Sequence, residues 1–229
     1  MTRPPVPAAT PAAATRRPAE RVRIKGVALE QRRQARREAL LEAATQVFGE
    51  RGYHAATVRE ICARAQLTER YFYESFDGLP ALFSAAHARL NRRLLEATDQ
   101  ALAAAPPQPL AMARAGLGVF LALLRDDPAF ARIFLIEALT VDAAMARQVS
   151  AATQDYEQQL LRVARVFFPD AEQRGLDVGY IASGLIGVNV QLATRWVRGG
   201  YREPLETVLA NALAFYEAMI RQWGRGAPV

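Results

Sequence analysis

Residues 57–76 read Thr57-Val58-Arg59-Glu60-Ile61-Cys62-Ala63-Arg64-Ala65-Gln66-Leu67-Thr68-Glu69-Arg70-Tyr71-Phe72-Tyr73-Glu74-Ser75-Phe76. Thr57 and Glu60 have the spacing of a capping box: the threonine hydroxyl accepts from the backbone amide three residues on, so a helix opens at Val58. Val58, Ile61, Cys62 and Ala65 recur at helical spacing and form its inner face, which makes Cys62 a small core residue rather than a reactive thiol. This helix ends near Ala65. Thr68 then caps a further helix in which Phe72 and Phe76 share a face at i, i+4. Two short helices joined by a tight turn, with their polar side chains outward, form a helix-turn-helix. Such a unit lays its second helix in the DNA major groove while the first crosses the backbone.

The pattern continues on both sides. From Gln31, the residues Leu40, Leu41, Ala44, Val47 and Phe48 lie on one helical face, Arg32, Arg33, Arg36 and Arg37 load the first turns, and Gly49 and Gly52 mark the end. Asp77-Gly78 closes the helix-turn-helix, and Pro80 suits the first turn of a long helix carrying Leu82, Phe83, Ala86, Leu90 and Leu94. Ala105-Pro106-Pro107-Gln108-Pro109 is a break. Beyond it, helices are expected at about 110–124, 128–139, 142–168, 174–198 and 203–223, punctuated by Asp127-Pro128, Phe168-Pro169-Asp170, Gly199-Gly200 and Glu203-Pro204. Alternating period-two apolar runs are absent, so the fold class is all-α. The expected organisation is a basic, disordered arm over 1–30, a helix-turn-helix domain over 34–94 and a larger helical domain over 105–223.

The chain has 229 residues, 51% hydrophobic and 23% charged, the profile of a globular protein with a sizeable core. One cysteine excludes an intrachain disulfide, and with His54 and His87 it is too little for a common zinc site. No metal and no cofactor is expected. The net charge of +6 is concentrated: residues 1–40 hold ten basic side chains against Glu20, Glu30 and Glu38, the asymmetry of an arm that meets a polyanion. Prolines 4, 5, 7, 11 and 18 interrupt the start, so it reads neither as a signal peptide nor as an amphipathic leader. No apolar run reaches the ~20 residues that span a bilayer, and a soluble, cytoplasmic protein is expected.

From Arg33 to Leu94 the chain resembles the TetR family of bacterial regulators. The resemblance rests on Ala43-Ala44, Val47-Phe48, Gly52-Tyr53, Thr57-Val58-Arg59-Glu60-Ile61-Cys62, Ala65, Leu67-Thr68, Tyr71-Phe72-Tyr73, Phe76 and Ala81-Leu82-Phe83. It implies DNA contacts at matching positions. Thr57 and the free amides behind it can hold a phosphate, with Arg59 beside them. Thr68, Glu69, Arg70, Tyr71, Glu74 and Ser75 point away from the Phe72/Phe76 face toward base edges or phosphates, Tyr73 toward the backbone, and Arg70 is the candidate reader of guanine. Apart from the resemblance, the basic asymmetry of the chain makes Arg21, Arg23, Lys25, Arg32 and Arg33 expected phosphate contacts from the arm and first helix. The chain departs from the family in three places. Gln66 stands where the turn commonly has glycine, so a left-handed backbone there costs about 1 kcal/mol. Leu79 replaces a usual lysine, and Glu69 and Glu74 put two negative charges on the recognition helix.

The C-terminal half carries no comparable motif. The helix at 174–198 is apolar on more than one face, which implies core on one side and a partner subunit on the other. Val178, Ile181, Leu185, Val188 and Leu192, with Val208, Ala212, Phe215 and Met219 of the last helix, are the expected homodimer residues; Gly184 and Gly187 would admit a close helix. The resemblance further implies a small-molecule effector. Met112, Phe120, Phe130, Phe134, Tyr156 and Trp196 are candidate walls, and Glu137, Asn189, Gln191 and Arg195 candidate polar fixings. The function expected is a ligand-responsive transcriptional repressor, dimeric on a palindromic double-stranded DNA operator and released by a small apolar or amphipathic effector. The alternative is a basic helical protein that binds membranes or nucleic acid without sequence specificity. An all-α enzyme would need a convergent nucleophile, base or metal set, and neither His54 nor His87 has one.

Overall fold

Helix α1 (Pro18–Arg51) starts on a proline, whose fixed φ and missing amide suit a first turn, and meets no other proline along its length. The structure, a computed structural model, describes residues 18–139, 143–175 and 177–224, the side chains of 18–28, 139, 143, 144, 146, 148, 150, 152, 174, 223 and 224 excepted. Residues 18–30, expected to belong to a disordered arm, are therefore helical and continuous with the helix that the sequence placed from Gln31. The disrupting prolines all lie at or before position 18. Gly26 alone costs about 1 kcal/mol, too little to stop a helix whose second half is docked. Residues 1–17, with the rest of the expected arm, lie outside the described residues.

Helices α2 (Val58–Arg64) and α3 (Glu69–Tyr73) form the helix-turn-helix. Thr57 caps α2, its hydroxyl accepting from the Glu60 amide at 3.2 Å. Gln66 takes φ 55°, and the Leu67 amide reaches back to the Cys62 carbonyl at 2.9 Å, closing the turn in the left-handed manner that normally calls for glycine. Helix α4 (Leu79–Ala104), with Pro80 in its first turn, leads out of this unit. The body comprises α5 (Pro109–Asp126), α6 (Pro128–Leu135), α7 (Ala143–Phe167), α8 (Val178–Arg198) and α9 (Leu205–Gly224), with short 3-10 turns at Glu137–Leu139 and Glu172–Arg174. Asp127 caps α6 by accepting from the Phe130 amide at 2.9 Å, and Asp177 caps α8 by accepting from Gly179 and Tyr180. No strand occurs among the described residues.

One apolar core runs through both halves. Leu40, Val47, Phe48, Ile61, Phe72, Leu82 and Phe83 belong to the same buried cluster as Phe130, Ile133, Leu185, Trp196 and Leu213. The junction is α6 against the end of α1. A Cβ on Gly49 would lie 2.3 Å from the Ala129 Cβ, so glycine is needed there for two helices to touch backbone to side chain. Phe48, Tyr53 and Phe83 pack edge-on or tilted with ring centroids 5.1–5.9 Å apart, and Phe130 stacks on Phe134 at 5.1 Å.

Candidate DNA-binding face and effector pocket

The outer surface of α3 is polar and open. Thr68, Glu69 and Arg70 are exposed, the Arg70 side chain to 84%. Tyr73 is also exposed, while Phe72 is fully buried and anchors the helix. Thr68 stands at the N-cap position, yet its hydroxyl makes no capping bond. Thr57 and Arg59 are exposed at the start of α2. The remaining expected contacts are committed to the protein. Tyr71 is half-buried beneath the Arg36 guanidinium, 4.4 Å from the ring centroid. The Ser75 hydroxyl, just past α3, donates to the Tyr71 carbonyl at 3.1 Å and is half-buried.

Glu74 is held by Arg70 at 3.1 Å and lies 4.0 Å from Arg36 of α1. Its charge is thus offset by two guanidinium groups, and the acidic character read from the sequence is largely cancelled. Exposed ion pairs contribute about 0.2–1 kcal/mol, so Arg70 can leave Glu74 for a base at small cost. Arg32 and Arg33 are exposed on α1, Arg33 3.9 Å from Glu30. The side chains of Arg21, Arg23 and Lys25 lie outside the described residues. Two further ion pairs fix α2 on the end of α1: Arg64 grips Glu50 with both guanidinium nitrogens, one at 2.8 Å, and Arg51 pairs with Glu60 at 2.9 Å. The Arg64 hydrogen bond holds the Glu50 carboxyl below its usual range.

The body encloses a cavity between α4, α5, α7, α8 and α9, with Phe134 of α6 at its inner wall. Of the candidate effector residues, Met112, Phe120, Phe134, Tyr156 and Asn189 line it, and none of the 25 lining residues is charged. The other five candidates lie elsewhere. Phe130 is fully buried beneath Phe134. Trp196 is locked at the end of α8, its indole donating to the Glu203 carbonyl at 2.8 Å and its ring edge-on to Tyr201. Gln191 and Arg195 are exposed, because the cavity face of α8 runs Val178, Ala182, Leu185, Ile186, Asn189, and those two residues lie on the opposite side. Glu137 is buried, but in a different role.

Glu137 joins the two halves. One of its oxygens accepts from the Tyr53 amide at 3.1 Å, the other from Arg132 Nε at 3.0 Å, and Arg132 Nη1 donates to the Glu50 carbonyl at 2.9 Å. Arg132 thereby satisfies a carbonyl left over at the end of α1. Two residues on from it, Phe134 faces the cavity and stacks on His87 of α4, with centroids 5.5 Å apart. A single short helix therefore touches the cavity on one side and the end of α1, which leads into the helix-turn-helix, on the other. The sequence contained no local signal for this, because the partners are more than eighty residues apart.

The expected dimer stripe faces largely inward. Val178, Leu185, Val208 and Ala212 are buried, and Val178, Leu185 and Met219 line the cavity. Ile181, Val188 and Leu192 are half-buried, and Phe215 alone is exposed. The outer face of α8 instead presents Tyr180, Ser183, Gly184, Gly187 and Val190, and that of α9 presents Ala210, Asn211, Ala214, Phe215 and Ala218. Large aliphatic residues gain most from the core, so the outward face mixes small residues, Ser183, Gly184, Gly187, Ala210, Ala214 and Ala218, with the rings of Tyr180 and Phe215.

A helix-turn-helix seated on an arginine-bearing helix, with a helical body around an apolar cavity, is the architecture of a DNA-binding transcription regulator. Residues 40–86 match the family of bacterial regulatory proteins described as tetR. It is 29% identical over 168 residues to the HTH-type transcriptional activator FasR of Mycolicibacterium smegmatis, covering 72% of this chain and 74% of that one. Its fold is shared with the fatty acid degradation regulator FadR from Bacillus halodurans at a TM-score of 0.68 and 16% identity, over 78% of this chain and 93% of the other. It is also shared with the transcriptional regulator FadR from Bacillus subtilis, solved in complex with stearoyl-CoA, at a TM-score of 0.66 and 16% identity, over 77% and 95%. The family's proteins are DNA-binding regulators rather than enzymes. Among the described residues no helix is long and apolar enough to cross a membrane.

Proposed function

We propose that this protein is a homodimeric regulator whose grip on a palindromic operator is set by a long-chain acyl ligand in the cavity, with Arg70, Thr68 and Tyr73 reading or bracing the DNA. The observation that carries the reading is the uncharged cavity wall whose Phe134 sits two residues from the Arg132 clasp on α1. An apolar chain fits such a wall, while a charged headgroup stays at the mouth or outside. The stearoyl-CoA named with the Bacillus subtilis structure supports this ligand class. Occupancy would shift α6, and with it the end of α1, so that two recognition helices no longer match major grooves ~34 Å apart.

Fluorescence anisotropy tests this, using DNA from upstream of the protein's own reading frame beside a scrambled duplex, at several salt concentrations, with and without stearoyl-CoA. Selective binding at two chains per site that shifts with stearoyl-CoA is the expected result. Equal, steeply salt-dependent binding to both duplexes would reduce the protein to a non-specific polyanion binder. Repression relieved by ligand is the primary reading. The relative named an activator favours a second, in which the bound protein promotes transcription. A promoter–reporter assay in a deletion strain separates them by the sign of the change.

A further inference from the structure

Most polar groups on the cavity wall are already used by the protein. The Thr98 hydroxyl donates to the Leu94 carbonyl at 2.6 Å, the Tyr156 hydroxyl to Asn91 Oδ1 at 2.6 Å, and the Gln159 amide to Asp99 at 2.8 Å. Asn189 and Tyr216 differ. Asn189 Nδ2 donates to the Tyr216 hydroxyl at 2.7 Å, which leaves the tyrosine proton free to be given elsewhere. Asn189 Oδ1 is buried and has no hydrogen-bond partner. Turning the amide over does not remove the surplus: Tyr216 would then donate to Oδ1, and the amide nitrogen would be left with protons to give. Either way, one donor and one acceptor remain together in an apolar wall, where leaving them unpaired is costly. Burial also raises the Tyr216 pKa, so its hydroxyl stays a neutral donor.

We infer that Asn189 and Tyr216 are the specificity-determining residues of the cavity, and that they hold a neutral group offering both a hydrogen-bond donor and an acceptor, such as an amide, on an apolar chain. This rests on reading the cavity as the effector site. The group must be neutral because no lining residue could pair with a carboxylate, and an uncompensated ion there would be strongly disfavoured. An amide gives its N–H to Asn189 and takes the Tyr216 proton on its carbonyl, so the two surplus groups are satisfied at once.

The test is isothermal titration of the full chain with dodecanamide and with dodecanoate at pH 7.5, alongside Asn189→Leu, Tyr216→Phe and the double variant. Wild type should prefer the amide, and each single variant should lose about tenfold in affinity for it. Ligand-free, the double variant should melt at or above wild type, since replacing both polar partners with apolar groups of similar shape removes an unsatisfied site rather than a bond. Amide binding that is unchanged in the double variant would overturn the inference, as would tighter binding of dodecanoate. So would a double variant that melts well below wild type, because the pair would then be structural. If wild type binds neither compound, the inference fails, and a parallel titration with stearoyl-CoA decides separately whether the effector reading of the cavity stands.

Discussion

Gln66 carries the strain of the helix-turn-helix. Its φ of 55° is one of two positive values at non-glycine positions among the described residues, the other being Tyr201. The left-handed conformation costs an ordinary residue about 1–2 kcal/mol, and glycine's greater freedom in the unfolded chain returns about 0.4–1 kcal/mol of that. Gln66→Gly should therefore stabilise the protein by about 0.5–1 kcal/mol in urea denaturation; a loss of stability would show that the glutamine side chain compensates the turn. His87 gives a second, pH-dependent effect. Burial lowers its pKa to about 4, against an ordinary 6.5, because the ring lies between helices and against Phe134. The unfolded chain then binds the extra proton between those values, so the stability of the neutral, buried form is complete above pH 6.5 and is lost as the pH falls toward 4. The loss is about 3 kcal/mol at most, at 1.36 kcal/mol per unit. His87→Gln should flatten this part of the stability–pH curve, and an unchanged slope would assign it to other groups. The sequence placed His87 on the long helix and found no catalytic partner for it. What it could not show was the Phe134 ring, contributed from 47 positions further along the chain.

At the scale of elements, α6 is where the two halves are coupled. Phe134 on one side of it borders the cavity, while Arg132 and Glu137 close on Gly49, Glu50 and Tyr53 at the other. Glu137→Gln keeps an acceptor for the Tyr53 amide but weakens the charged bond to Arg132. We expect DNA affinity and ligand affinity, each measured alone, to change by less than about threefold. The factor by which ligand alters DNA affinity should fall about fivefold or more, a loss of about 1 kcal/mol of coupling. Full coupling in this variant would show that the signal travels by another route, such as α4. Gly49→Ala tests the same contact sterically: its methyl meets Ala129, and overpacking of this kind costs about 1–3 kcal/mol. Gly49 was readable as the end of a helix, but the structure places it inside α1, where its use is the close approach of α6. Caps and breaks could be read locally because each depends on residues within one turn, as Thr57 with Glu60 and Asp127 with Phe130 do. The clasp could not, since it joins residues 83–84 positions apart.

For the whole molecule, the decisive surface is the outer face of α8 and α9. The sequence showed that α8 is too apolar to be wet on one side, but not which stripe faces outward, because Leu185 and Gly184 are neighbours on the chain and their burial differs completely. Gly184 and Gly187 are exposed, and a Cβ built on either meets nothing within 4 Å. Within one chain these glycines have no steric purpose, and in a helix interior each is about 1 kcal/mol worse than alanine. A second copy packed against Ala210, Ala214 and Ala218 would give that absence of side chains a reason, since helices approach closely only across small residues. Gly184→Arg separates the two cases. In an isolated chain the arginine points into solvent and improves helix propensity, so the melting midpoint of the monomer should not fall. In a dimer it is driven into the partner. Light scattering behind size exclusion should then show the mass drop from twice 25.2 kDa to 25.2 kDa, together with a large loss of operator affinity, because one recognition unit reaches only one half-site. A variant that remains dimeric would move the interface to another face, and a wild type that already runs at 25.2 kDa would leave the outward glycines without a partner.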